Sequence, residues 1–85
     1  MKKGSVALVT GASHGIGRAT ALRLARDFSA VVLVARNQVE LKKTAAGVDE
    51  AGAETLVCAL DLRESQAAKT VVSKVLDRFG RIDAC

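Results

Sequence analysis

Three uninterrupted apolar runs recur along the chain at nearly even intervals: Ser5 to Thr10 (SVALVT), Ala30 to Ala35 (AVVLVA) and Thr55 to Leu60 (TLVCAL). Each is short, rich in β-branched residues and closed by turn-forming or charged residues, the pattern of a parallel strand buried on both faces. Between the runs the period changes. Ile16, Ala19, Thr20, Leu24 and Phe28 fall near helical spacing, with Arg18, Arg23, Arg26 and Asp27 left for solvent. Val39, Leu41, Ala45 and Val48 share a stripe on a second helix, with Gly52 after Ala51 as its C-cap. Ala68, Val71, Val72, Val75, Leu76 and Phe79 predict a third helix from about Glu64 to Phe79, with Gly80 just beyond its end. Ile82-Asp83-Ala84-Cys85 begins a fourth strand.

The expected fold is therefore α/β, a βαβαβα succession followed by the start of a fourth strand. Right-handed crossovers make strands one to three part of a doubly wound parallel sheet, and the fourth strand should return beside strand one. That return creates a switch point, where ligands bind at the carboxyl ends of the strands. Helices one and two are expected on one face and helix three on the other. The second face and the edge beside strand four would then be only partly covered, which predicts self-association or poor solubility; pairing with a full-length relative is the other partner expected.

Composition narrows the function classes. A chain of 85 residues forms at most one small domain, burying roughly 60–65 % of its unfolded surface. An apolar content of 49 % excludes a disordered chain. The net charge of +4 comes from basic residues scattered through every segment, with no aromatic platform beside them, so solvated helix faces are expected and a nucleic-acid partner is not. Cys58, Cys85 and a single histidine cannot supply the four ligands of a zinc site, so no metal is expected. Cys58 reads as a buried free thiol in a reducing compartment. The apolar run after Met1-Lys2-Lys3 is broken at Thr10-Gly11, far short of a signal-peptide core or a membrane span. A cytoplasmic protein with no membrane contact is expected.

The stretch with chemistry is Thr10-Gly11-Ala12-Ser13-His14-Gly15-Ile16-Gly17, between the first strand and the first helix. Glycines there permit positive φ and bring a ligand pyrophosphate close to the backbone. The unpaired N–H groups of the helix's first turn, with the helix dipole, then face the anion. No Gly-Lys-Ser/Thr follows, which excludes a P-loop.

The spacing Gly11-x-x-x-Gly15-x-Gly17 after a threonine resembles the TGxxxGxG fingerprint of the short-chain dehydrogenase/reductase family. The second strand ending in Arg36, the Asp61-Leu62 pair after the third strand and the Phe79-Gly80-Arg81-Ile82-Asp83 lead-in extend the resemblance over the whole chain. It implies a Rossmann dinucleotide-binding domain of which residues 1–85 are the incomplete amino-terminal part. It further implies hydride transfer between a nicotinamide cofactor and a carbonyl/alcohol substrate, with a leaning toward 3-oxoacyl-thioester reductases. On this resemblance the backbone at Ser13, His14 and Ile16 lines the adenosine phosphate, ribose and pyrophosphate. Gly11, Gly15 and Gly17 shape the turn. Asp61 holds the adenine amino group and the Leu62 backbone the ring edge; an N-cap for the third helix is the lesser alternative for Asp61 and compatible with the first.

The coenzyme reading rests on Arg36 and its neighbour Asn37. NAD-binding units place a carboxylate roughly 20 residues beyond the glycine loop to hold the ribose 2′-hydroxyl. Here the strand ends Ala35-Arg36-Asn37 with no acid before Glu40, and a guanidinium there binds a 2′-phosphate and stacks on adenine. NADP(H) is favoured over NAD(H). An exposed strand-end charge is the plainer role for Arg36, and a loop histidine contributing only its backbone the plainer one for His14. The family's chemistry also uses a tyrosine, a lysine, a serine and an asparagine. This chain contains no tyrosine, stops before the Asn-Asn-Ala-Gly stretch, and none of Ser5, Ser13, Ser29, Ser65 or Ser73 has the matching context. The expectation is a cofactor half-site without catalytic residues, inactive by itself. A stand-alone nucleotide-binding or interaction module on the same fold is the alternative.

Overall fold

A computed structural model describes residues 4–12 and 15–84. The elements alternate as β1 (Val6–Thr10), α1 (Gly15–Leu24), β2 (Ala30–Ala35), α2 (Gln38–Glu50), β3 (Glu54–Ala59) and α3 (Ala67–Phe79). The strands form one parallel sheet in the order β1-β2-β3, with Val6 opposite Ala30 and Ala30 opposite Glu54. Beyond α3 the chain comes back to the free edge of β1. Ala84 bridges Ala7 in parallel, and the Leu8 N–H donates to the Ala84 carbonyl at 2.9 Å. The Val6 N–H donates to the Asp83 carboxylate at 2.7 Å. The expected return of the fourth strand beside the first is thus present as far as Ala84.

Side chains alternate across β2 and build two cores. Val31 and Leu33 pack on one face with Ala21 and Ala25 of α1 and Leu41 and Val48 of α2. Ala30, Val32 and Val34 pack on the other with Val71 and Val75 of α3. The sheet is therefore flanked on both sides, and β2 is buried throughout except at Ala35. Each fully buried valine or leucine contributes on the order of 1.5–3 kcal/mol, which is why the continuous apolar runs mark the strands so well.

The helices depart from their expected bounds and faces. α1 ends at Leu24 rather than Phe28, because the Arg26 and Asp27 N–H groups bond three residues back to the Arg23 and Leu24 carbonyls and tighten the last turn. Its buried position is Ala21, and Ala25 and Phe28 are buried in the turn that follows, while Ile16, Ala19 and Thr20 are exposed. Small residues on several sides of the helix leave its phase open to more than one stripe. On α2, Val39 is exposed and Thr44 takes a buried place beside Leu41, Ala45 and Val48. α3 starts at Ala67, after successive three-residue turns in which Glu64 N–H bonds the Asp61 carbonyl and Ala67 N–H the Glu64 carbonyl. It buries Ala67, Val71 and Val75 and leaves Ala68, Val72 and Leu76 exposed. β3 is shifted one residue earlier than expected. Gly80 closes α3 in the left-handed conformation at φ 76°, where a side chain would be strained.

Candidate functional site

The carboxyl ends of β1, β2 and β3 open together onto a groove of about 810 Å³, whose walls include Gly11, Arg36, Asn37, Asp61, Leu62 and Arg63. Gly11 turns the chain out of β1 at φ 64°, and Gly15 enters α1 at φ 60°. Gly17 fits for a different reason. A Cβ there would run into the Gly11 carbonyl, whose carbon lies 2.6 Å away, so only glycine lets the first turn of α1 sit against the end of β1. The N–H groups of that first turn have no intrahelical acceptors and carry the positive end of the helix dipole. Ile16 stands in this turn, its side chain exposed. Ser13 and His14 lie outside the described residues.

Arg36 and Asn37 follow β2 directly and both are exposed. The Asn37 side chain accepts a hydrogen bond from the Glu40 N–H at 3.0 Å and so caps α2. Arg36 forms no salt bridge among the described residues. The Asp61 carboxylate does not cap α3, whose N-cap is Gln66 without a side-chain bond. It folds back instead onto Arg63, accepting the backbone N–H at 2.9 Å and the guanidinium Nε and Nη2 at 3.1 and 2.9 Å. This local turn takes up the carboxylate that would otherwise start a helix. The Arg63 guanidinium and N–H hold the Asp61 carboxyl down to about 2, and Arg36 acts more weakly in the same direction. Two guanidiniums thus face one carboxylate, leaving the groove positive.

Of the residues singled out from sequence, Gly11, Arg36, Asn37, Asp61 and Leu62 meet in the groove, with Gly15, Ile16 and Gly17 at the helix start beside it. Arg63 was missed, although a basic residue two positions after an aspartate is a legible turn signal. Cys58 is buried and free, its thiol pushed up by burial against a smaller opposing effect of Lys74. No helix among the described residues is long and apolar enough to cross a membrane.

The family profile described as short chain dehydrogenase matches residues 5–85. The chain belongs to the short-chain dehydrogenase family. Among its relatives, the short-chain reductase protein NovJ of Streptomyces niveus is 42 % identical over 79 residues, covering 93 % of this chain and 30 % of NovJ. The 3beta-hydroxysteroid dehydrogenase of Mediterraneibacter gnavus is 35 % identical over 78 residues, covering 92 % and 28 % of the two chains. A NAD+-bound xylitol dehydrogenase superposes with a TM-score of 0.89 at 42 % identity, over 95 % of this chain and 31 % of that one. A metagenomic short-chain oxidoreductase in complex with NADP does so with a TM-score of 0.89 at 40 % identity, over 96 % and 37 %. The chain therefore spans about a third of the length of these short-chain dehydrogenases. It carries their Rossmann-like arrangement of strands and helices, and similar structures hold NAD in one case and NADP in the other.

Proposed function

We propose that residues 1–85 are the amino-terminal part of a single dinucleotide-binding domain and hold NADP(H) in preference to NAD(H). The residues fit such a group: Gly17, where a Cβ would strike the Gly11 carbonyl, lets the first-turn amides of α1 sit against the end of β1, and the groove offers cations where a phosphate would lie. The observation that carries the coenzyme preference is Arg36, exposed at the end of β2 where NAD-binding units carry a carboxylate. Backbone at Gly11, Ser13, His14 and Ile16 would face the phosphates, and Arg36 with Asn37 the 2′-phosphate. Asp61 and the Leu62 backbone would meet the adenine.

NADP(H), when bound, supplies the hydride. The contribution of this chain is binding and orientation, since the sequence contains no tyrosine to serve as proton donor. For the whole protein the reading is an oxidoreductase acting on a carbonyl/alcohol pair. Relatives named for hydroxysteroid and xylitol oxidation support that class.

Titration of the 85-residue chain with NADPH and NADH, followed by nucleotide fluorescence, tests the coenzyme reading. NADPH is expected to bind tighter. Arg36→Ala should weaken NADPH by about 10- to 100-fold, the worth of charge-assisted bonds to phosphate, and leave NADH nearly unchanged. Equal affinities, or an Arg36→Ala variant that binds NADPH as the parent does, would overturn the preference.

A further inference from the structure

Thr44 is a polar residue in the apolar stripe of α2, only 1 % exposed. A buried hydroxyl requires partners, and it takes two of them from outside its own helix. Its Oγ1 donates to the Ala12 carbonyl at 2.8 Å and accepts from Arg18 Nε at 2.9 Å. The Glu40 carbonyl one turn back, the usual partner of a helical threonine, lies farther away at 3.3 Å. A hydroxyl has one proton to give. With Arg18 donating to the oxygen, the shorter contact assigns that proton to Ala12.

Arg18 is itself held. Its Nη2 pairs with Glu40 Oε1 at 3.1 Å, and Lys43 pairs with Glu40 Oε2 at 3.1 Å. The two cations keep the Glu40 carboxyl below its ordinary range. Ala12, fully buried, is thereby fixed at both ends of its backbone, for its N–H donates to the Val34 carbonyl of β2 at 3.3 Å. The residue from which the glycine loop departs is anchored to a strand on one side and to α2 on the other.

We propose that Thr44 is a positioning residue for the phosphate-binding loop. Its hydroxyl, oriented by Arg18, holds the Ala12 carbonyl in place at the end of β1, and so sets how the first-turn amides of α1 meet a dinucleotide pyrophosphate. This rests on the dinucleotide-binding reading above. The side chain touches no ligand; it acts through the Ala12 carbonyl.

The test compares Thr44→Val, which keeps the shape and removes the hydroxyl, with Thr44→Ser, which keeps the hydroxyl. Thr44→Val should raise the NADPH dissociation constant by roughly tenfold, as loss of one buried hydrogen bond would, and Thr44→Ser should restore it. Nitrogen relaxation on the free chain should show the Ala12 and Gly15–Gly17 amides becoming more mobile in Thr44→Val alone. A merely structural role would lower the unfolding midpoint and leave both readouts at parental values, which overturns the proposal. If the parent chain binds no dinucleotide, the cofactor reading fails and the relaxation data still decide the positioning role. Should Thr44→Val not fold, Glu40→Gln removes the outer ion pair of the same relay. Increased mobility of the loop amides in that variant upholds the proposal, and unchanged mobility overturns it.

Discussion

Asp61 and Arg63 meet two positions apart in sequence, and their clasp decides what the groove presents to a ligand. A free carboxylate would repel a phosphate; one already bonded to a guanidinium does not. The clasp also makes a measurable statement about pH. Because the Asp61 carboxyl is held at about 2 against an ordinary 3.8, its contribution to the folded state is complete above 3.8 and is lost as pH falls through about 2. Carbon-detected titration of Asp61 should show a midpoint near 2 in the parent. In Arg63→Gln the midpoint should move up toward 3.8, and an unmoved midpoint would mean the clasp does not persist in solution. In the sequence, the place of Arg36 and Asp61 at the strand ends that line the groove was legible because the strands that end beside them are unmistakable. Arg63 went unread although its spacing from Asp61 is a turn signal, and Thr44 was not legible, since its role depends on side-chain contacts that no periodicity encodes.

At the level of elements, strand positions followed directly from apolar runs, while helix faces did not. α1 carries alanine at positions 19 and 21, with Ala25 just past its end, and a helix with small residues on several sides can be rotated without changing its hydrophobic pattern. Only packing selects the side that carries Ala21 and continues to Ala25 beyond the helix end, and Gly17 and Gly47 show how close that packing is. A Cβ at Gly17 would meet the backbone carbonyl of Gly11, whereas one at Gly47 would meet the Leu22 Cδ2 at 2.6 Å, the far end of a flexible side chain. The same substitution therefore has different outcomes. Gly17→Ala should destabilise by about 1–3 kcal/mol or more through overpacking and weaken dinucleotide binding. Gly47→Ala should be near neutral, since a gain of about 1 kcal/mol in helix propensity offsets the displacement of Leu22. Urea unfolding of the two variants separates them, and equal losses would show that α1 and α2 are packed more rigidly than Leu22 suggests.

For the whole molecule, a radius of gyration of 11.5 Å matches the roughly 12 Å expected of a complete domain of this length. Packing on both faces of one sheet explains that compactness in a chain spanning only about a third of its relatives' length, the face under α3 being the less fully covered. The outer side of α3 is less well covered, with Val72 and Leu76 43 % and 46 % exposed. Neighbouring apolar side chains one turn apart favour association, so sedimentation should reveal concentration-dependent self-association that Val72→Thr with Leu76→Gln reduces. An unchanged profile in the double variant would place the contact elsewhere. The bonds between β1 and the Asp83–Ala84 segment have a consequence in time. Val6 and Asp83 are 77 positions apart, a separation that takes roughly 4–15 s to synthesise at about 5–20 residues per second. During that interval the newly made β1 can pair with β2 yet keeps its other edge open. The nascent chain therefore passes through its most aggregation-exposed stage while the last residues needed to cover its first strand are still being added.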